Sequence, residues 1–226
     1  MSKITPLKDL QVLASGATRD VYRHPINPEF LIKVVRQTTT TEGSGNNDLW
    51  YKSYWRHYRQ QNRRYRHLIP YLREVREYIA IHALEEGSPP SWLQKIVGFV
   101  ETDRGLGLVV EAIFAEDGKL APTLRTMARS GPLKPEEQAA LDFFLKTLIR
   151  SPIALTDIQP NNIVYGISDN GTKQFVLIDG TGHKTLIPIV LMSQWINKWN
   201  NRRKVRRLLA ELANEICKTK NNCVPA

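Results

Sequence analysis

The segment IALTDIQPNNIVYG, residues 153–166, constrains the fold of this 226-residue chain more than any other stretch. An apolar run leads into Thr156 and Asp157, Pro160 stiffens the following turn, and two asparagines precede a second apolar run. Polar side chains in a short loop between buried segments are typical of a functional loop on a rigid scaffold. The alternative is a turn without a function, because aspartate and asparagine form turns readily.

A second acidic group follows this loop along the chain. The apolar segment FVLI, residues 175–178, ends at Asp179, and Gly180 comes next. Asp157, Asn162 and Asp179 would provide two carboxylates and one amide on neighbouring loops, which suits Mg²⁺ when phosphate oxygens complete its shell. A carboxylate that does not bind the metal is suited to position an attacking hydroxyl.

The bulk composition indicates a globular protein with a hydrophobic core. Apolar residues make up 42% of the chain, yet no window approaches eighteen consecutive apolar residues, so no transmembrane helix is expected. The first residues lack the apolar block of a secretory signal. The two cysteines, Cys217 and Cys223, are too few for a metal cage, and we expect a reduced pair in a cytoplasmic protein.

The net charge of +10 is concentrated in two segments. Residues 50–76 carry eight Lys/Arg and one Glu, and residues 198–207 carry six Lys/Arg and no acid. Most charge runs are solvated helix faces. Clustered cations also attract phosphate-rich partners, and the interleaved Trp and Tyr of the first segment would suit stacking on nucleic-acid bases.

The order of predicted elements favours an α+β protein. Strands are expected in residues 10–25, 29–37, 94–102 and 105–114, and a helical pattern runs from Asp48 to about residue 84. Two helices follow, of which the second begins at KPEE with a proline and two glutamates. A hairpin then surrounds SDNGT, and a basic helical region occupies about residues 188–218.

Four of these segments resemble motifs of the protein-kinase-like fold. LTDIQPNNIV resembles the catalytic loop with the pattern His-x-Asp-x-x-Pro-x-Asn, and LIDG resembles the Asp-x-Gly metal segment with its middle residue missing. ASGATRDV matches the glycine-loop template at Ala14, Gly16, Arg19 and Val21, and LIKVV resembles the third strand with its lysine, Lys33.

Over the whole chain the sequence resembles the YrbL family, bacterial proteins described as members of the PhoP regulatory network. SGATRDVYRHP and TDIQPNNIV carry this resemblance. It implies a bilobal protein-kinase-like fold, with an N-lobe of residues 1–112, a basic insertion at 38–70, and a reduced, mostly helical C-lobe of residues 113–226.

The resemblance also implies ATP and Mg²⁺ as cofactors and a role for each site residue. The nucleotide would be held by Gly16, Val21 and Lys33, with the adenine at the Glu111 carbonyl and the Ile113 N–H. Glu77, or alternatively Glu74, would pair with Lys33. Asn162 and Asp179 would bind Mg²⁺, and Asp157 would orient the acceptor hydroxyl.

Three departures from the kinase pattern restrict the expected function. Leu155 replaces the catalytic-loop histidine, the phosphate loop keeps only Gly16 of three glycines, and no long activation segment follows Gly180. We therefore expect a phosphotransferase for an anionic small-molecule, glycan or lipid acceptor recruited by segments 50–76 and 198–207. The alternatives are a catalytically weak pseudokinase scaffold and a basic nucleic-acid-binding protein.

Overall fold

The computed structural model describes residues 4–16, 18–36, 65, 68–84, 90–153, 155, 157–167, 171–181 and 194–221. Residues 38–64 of the basic insertion, and the helical pattern expected from Asp48 to residue 64, lie outside the described residues. The helices and strands are β1 (Val12–Ser15), β2 (Arg19–Arg23), β3 (Phe30–Val35), α1 (Ile69–Leu84), β4 (Ile96–Thr102), β5 (Gly105–Glu111), α2 (Leu124–Ser130), α3 (Pro135–Arg150), β6 (Ile163–Ile167), β7 (Lys173–Leu177) and α4 (Gln194–Asn221).

The chain forms two compact units. The first, called the sheet unit, comprises Met1–Arg73 and Ile96–Val110, and the second, called the helical unit, comprises Glu74–Lys95 and Glu111–Ala226. An antiparallel sheet in one unit and mostly helices in the other confirm the predicted α+β class. The element order agrees with that expected for the protein-kinase-like fold.

The sheet unit is built on five strands in the order β1-β2-β3-β5-β4. The edge strand β4 alternates between exposed and more buried positions, whereas the central strand β5 is buried over Gly107–Val110. This difference is expected, since an edge strand packs on one face while a central strand is covered more completely. Leu7, Tyr22, Ile32, Val34 and Val109 form the core of the unit.

Tyr71 joins the start of α1 to the sheet. Its hydroxyl donates to the Lys33 carbonyl at 2.7 Å, lies 3.0 Å from the Leu106 carbonyl, and accepts the Val35 N–H at 2.9 Å. The side chain is 2% exposed, and its ring lies 6.0 Å from that of Phe99 in an edge-on arrangement. One buried hydroxyl therefore links the helix to two strands.

The helical unit has a larger core, to which α2, α3, α4 and the β6–β7 hairpin contribute. Helix α3 begins with Pro135, and the Glu137 side chain accepts the Lys134 N–H at 2.9 Å, which explains why KPEE starts a helix. The Tyr165 and Phe175 rings lie 4.5 Å apart on the hairpin, and Phe175 also packs against Phe144 of α3. In the described part of the chain, every helix is too short or too polar to cross a bilayer.

Two buried tyrosines of the sheet unit test how much each hydroxyl contributes to stability. We expect Tyr71→Phe to lower the free energy of unfolding by about 1–3 kcal/mol, because it leaves buried backbone groups without their partner. Tyr22 is a matched control: its side chain is 0% exposed and its hydroxyl has no hydrogen-bond partner among the described residues. We expect Tyr22→Phe to be neutral or stabilising in urea denaturation. Equal losses in the two variants would contradict this reading of the hydroxyls.

Candidate functional site

The loop of residues 157–162 leads directly into the β6–β7 hairpin. Pro160 begins a single 3₁₀ turn that ends at Asn162, and the Asn162 N–H donates to the Gln159 carbonyl at 2.9 Å. The chain then enters β6, returns along β7, and reaches Asp179 beside its starting point. The Ile178 N–H donates to the Asn162 carbonyl at 2.9 Å, so the two ends of the hairpin are joined.

Asp157 and Gly180 form a second contact between the two ends. The Asp157 N–H donates to the Gly180 carbonyl at 3.2 Å, and the Asn162 side-chain amide donates to the Asp157 carbonyl at 3.0 Å. The structure therefore brings Asp157, Asn162 and the Asp179–Gly180 dipeptide together, and their predicted roles stay predictions.

Gly180 is required at this contact for two independent reasons. Its φ of +97° lies in the region that residues with a side chain adopt only with strain. A Cβ at this position would also lie 2.9 Å from the Asp157 carbonyl carbon and closer still to the carbonyl oxygen. The glycine after Asp179 thus permits the close approach of two backbone segments.

The orientation of the Asn162 side chain suits a cation ligand. Its amide nitrogen is engaged by the Asp157 carbonyl, so the oxygen of the same amide remains as an acceptor. Amide and carboxylate oxygens are the protein ligands that Mg²⁺ prefers.

The two carboxylates are both half-buried and differently supported. An oxygen of Asp157 accepts the Gln159 side-chain amide at 3.0 Å, and an oxygen of Asp179 accepts the Gly180 N–H at 2.7 Å. Among the described residues, no group of three or more His, Cys, Asp or Glu side chains is arranged to hold a metal alone. The residues present fit a Mg²⁺ ion that takes most of its ligands from phosphate and water.

Backbone pairing connects the loop to the metal segment at the position where kinases carry a histidine. Leu155 is 2% exposed in the core and forms an antiparallel bridge with Thr181. The Lys204 ammonium group donates to the Leu155 carbonyl from α4. The bridge to Thr181 and the Lys204 contact therefore hold this part of the loop although a leucine replaces the histidine.

Two asparagines of α4, on the same helix face as Lys204, hold the chain that leads into this loop. The Asn197 amide donates to the Pro152 carbonyl at 2.9 Å and lies 3.3–3.4 Å from the carbonyls of Ser151 and Ile153. The Asn201 amide donates to the carbonyls of Leu148 and Ile153, each at 3.3 Å. The Leu148 contact satisfies a carbonyl in the last turn of α3 that the helix leaves without an internal partner, and the other contacts satisfy carbonyls of residues 151–153 that follow the helix.

The predicted residues of the sheet unit lie on one hairpin and its neighbouring strand. Val21 and Lys33 are direct cross-strand partners and therefore share a face, with Lys33 5% exposed. Gly16 lies in the turn between β1 and β2, where an added Cβ would meet only the Arg19 carbonyl at 3.6 Å. The Arg36 guanidinium donates to the Gly16 carbonyl, so a side chain supports this glycine-poor loop.

The two candidate acids of α1 are both buried. Glu74 is 8% exposed and Glu77 is 6% exposed, and Ile81 continues the buried stripe one turn later. Burial does not distinguish them, and the pairing of Lys33 with Glu77, or alternatively Glu74, stays a prediction.

The segment predicted to bind adenine has a partner that the sequence did not indicate. The Glu111 N–H donates to the Lys95 carbonyl at 3.0 Å, and the Glu111 carbonyl accepts the side-chain amide of Gln94 at 2.7 Å. The Gln94 N–H donates to the Leu177 carbonyl, two residues before Asp179. Ile113 is buried, and its carbonyl accepts the Ala121 N–H. An adenine at Glu111 would share that carbonyl with Gln94. The binding of adenine by Glu111 and Ile113 stays a prediction.

Gly180→Ala tests the close approach at Asp157. Gly171 is a matched control, because its φ of +74° is also positive but an added Cβ would meet nothing within 4 Å. We expect Gly171→Ala to cost about 1–2 kcal/mol of unfolding free energy, which is the strain alone. Gly180→Ala should cost at least about 2 kcal/mol more, because backbone atoms must also separate. Equal losses of unfolding free energy in the two variants, measured by chemical denaturation, would show that the Asp157–Gly180 contact does not exclude a Cβ at residue 180.

Asn201→Ala tests the support that α4 provides. Because the buried Leu148 carbonyl would lose this donor and the Ile153 carbonyl would keep only that of Asn197, we expect the variant to lower the free energy of unfolding by about 1–3 kcal/mol. Asn214→Ala is the control, since Asn214 is exposed on the same helix and its loss should be neutral or slightly stabilising. A similar midpoint for both variants in urea would contradict the role of Asn201.

The chain is similar to known proteins over most of its length. Residues 5–213 match the model of the family described as PhoP regulatory network protein YrbL. The chain is 28% identical over 212 residues to the uncharacterized protein YrbL of Escherichia coli (strain K12), covering 92% of this chain and 87% of that protein. The YrbL protein of Shigella flexneri matches with the same values.

Among solved structures, the chain is similar to a crystal structure of Rad53 1-466 in complex with AMP-PNP. The TM-score is 0.46 at 14% identity, and the match covers 92% of this chain and about half, 51%, of that one. The fold assignment therefore rests on the order of helices and strands and on the strand order of the sheet in this chain, and not on this match. The family match, by contrast, spans residues 5–213, which include the five-stranded sheet, the loop of residues 157–162 and most of α4, and the chain belongs to the YrbL family of PhoP regulatory network proteins.

Proposed function

We propose that this protein is a Mg²⁺-dependent phosphotransferase that uses ATP and acts on an acceptor other than a folded protein. The observation that carries the proposal is the junction of Asp157, Asn162 and Asp179–Gly180, in which backbone hydrogen bonds hold a catalytic-loop motif against a metal-segment motif. A buried lysine in β3 and two buried glutamates in α1 provide the other charged groups that such a reaction requires.

Each side chain has a distinct role in the proposed reaction. The Asn162 oxygen and the Asp179 carboxylate would hold Mg²⁺, which when bound neutralises charge on the nucleotide phosphates. Lys33 would bind the phosphates. The acceptor oxygen would form a bond to the terminal phosphorus as the bond to the bridging oxygen breaks, Asp157 would take the hydroxyl proton, and ADP would leave.

The Gln159 contact supports the assignment of Asp157 as the residue that orients the acceptor. One Asp157 oxygen accepts the Gln159 amide, and this hydrogen bond restricts the rotation of the carboxylate. Positioning of this kind is the main contribution of the protein in phosphoryl transfer, since little covalent chemistry is required of the side chains.

The acceptor is proposed to be a small molecule, a glycan or a lipid. The sequence after Gly180 lacks an Ala-Pro-Glu anchor and has few residues before α4, so it offers no long segment for peptide docking.

A pseudokinase is the second candidate, and Leu155 favours it. The kinase-like histidine is absent, and the β1–β2 turn has one glycine supported by Arg36. Such a protein would bind ATP without transferring phosphate. Its proposed role would be regulatory, through contacts with a partner.

Binding and turnover can be separated with two carboxylate variants. At nucleotide concentrations about a hundredfold above Kd, ATP plus Mg²⁺ should raise the melting temperature by about 5–10 °C, and each alone should raise it less. Asp179→Asn should lose the Mg²⁺-dependent part of this shift. Asp157→Asn should keep the shift and lose phosphate transfer. Asp142→Asn is the control, because Asp142 is exposed on α3 and hydrogen-bonded to Gln138.

The outcomes distinguish the candidates. A shift in the wild-type protein without ATP hydrolysis or acceptor labelling would establish the pseudokinase. The absence of any shift with ATP and Mg²⁺ would overturn both nucleotide-binding proposals. An unchanged shift in Asp179→Asn would overturn the assignment of Asp179 as a Mg²⁺ ligand.

A further inference from the structure

Helix α4 has two faces with opposite chemistry. Its inner face is buried and includes Val205, Leu208 and Leu212, which belong to the core of the helical unit. Successive residues are rotated by about 100° in an α-helix, so the outer face is formed by the residues between these positions. The outer face carries five exposed cations: Lys198, Arg202, Arg203, Arg206 and Arg207.

The positive charge of this outer face is not neutralised by α4 itself. The acids of α4 are Glu211 and Glu215, and both are engaged with α2. Glu211 forms an ion pair with Arg125, and Glu215 lies 3.2 Å from the Nε of Arg129. The hydrogen bond from Arg129 lowers the pKa of Glu215, so its negative charge stays at that contact. No ion pair joins the five outer cations to an acid within the described part of the chain.

Apolar side chains are exposed beside these cations. Trp199 is 63% exposed and lies near the middle of the outer face, while Ile196 and Leu209 are each 42% exposed toward its two edges. At 100° per residue, Trp199 falls between Arg202 and Arg203 in rotation around the helix. A large exposed aromatic ring surrounded by cations marks an interaction surface more strongly than a scattered apolar residue does.

We propose that the outer face of α4 docks on the surface of an anionic phospholipid bilayer. The cations would lie along about 15 Å of helix and contact phosphate headgroups, and Trp199 would enter the boundary between headgroups and acyl chains. The inner face stays in the core, so docking requires neither unfolding nor insertion of the helix.

The apolar residues favour a bilayer over a nucleic acid. A bilayer provides an apolar layer for Ile196 and Leu209 as well as for Trp199, and interfacial helices combine these residue types with Lys and Arg. A nucleic-acid strand would use the cations and one stacked ring, but it offers no comparable environment for the aliphatic side chains. The docking does not depend on the proposed phosphotransfer and is measured without nucleotide.

Vesicle co-sedimentation of the full-length chain tests the proposal. We expect binding to vesicles of phosphatidylcholine with phosphatidylglycerol, little binding to phosphatidylcholine alone, and a loss of binding as salt is added. Arg202→Glu/Arg206→Glu should weaken binding at least about thirtyfold, which corresponds to about 1 kcal/mol for each cation removed. Trp199→Ala should weaken binding while leaving its salt dependence unchanged.

A matched variant controls for net charge. Lys146→Glu/Arg150→Glu reverses two exposed cations of α3 at the same four-residue spacing, and should bind anionic vesicles within about threefold of wild type, which is less than 1 kcal/mol. Circular dichroism checks that the variants are folded. Equal weakening by the two double variants would overturn the proposal, as would equal binding to both vesicle compositions. Tighter binding to a single-stranded RNA than to anionic vesicles at equal salt would replace the bilayer by a nucleic acid.

Discussion

The close approach of the Asp157 and Gly180 backbones is the contact on which the candidate site depends. Asp179 returns to the loop of Asp157 and Asn162 because the β6–β7 hairpin brings the chain back to its starting point and two backbone hydrogen bonds close the ends. The positive φ of Gly180 and the lack of space for a Cβ explain why this position is a glycine. The chemistry proposed for the carboxylates therefore depends on a backbone contact.

Helix α4 supports the candidate loop with its inner face and carries an exposed basic surface on its outer face. Its inner face donates to carbonyls of Leu148, Pro152, Ile153 and Leu155 through Asn197, Asn201 and Lys204, and this segment leads into the Asp157 loop. Its outer face carries cations and an exposed tryptophan. A partner bound to the outer face would contact the helix that supports the loop, so docking and the proposed chemistry share one structural element.

Two buried tyrosine hydroxyls of the sheet unit differ in their hydrogen bonds, and therefore in their expected effect on the free energy of unfolding. The Tyr71 hydroxyl makes three contacts that join α1 to β3 and β5, including one at the carbonyl of Lys33. The Tyr22 hydroxyl is equally buried and has no described partner. Burial alone therefore does not identify a structural hydroxyl, because the free energy depends on whether its hydrogen bonds are made.

Local sequence patterns predicted the α+β class, most of the described strands and helices, and the polar loop that contains Asp157 and Asn162. These features follow from local patterns, such as apolar β-branched runs in β3 and β5 and the Pro-Glu-Glu start of α3, which act over a few residues. Only the tertiary structure decided the partners of Gln94, Asn201 and Lys204, whose hydrogen bonds reach residues 17–53 positions away. Lys204 belongs to a basic run in the sequence, yet its ammonium group binds the Leu155 carbonyl, because the packing of α4 turns this cation inward and its neighbours outward.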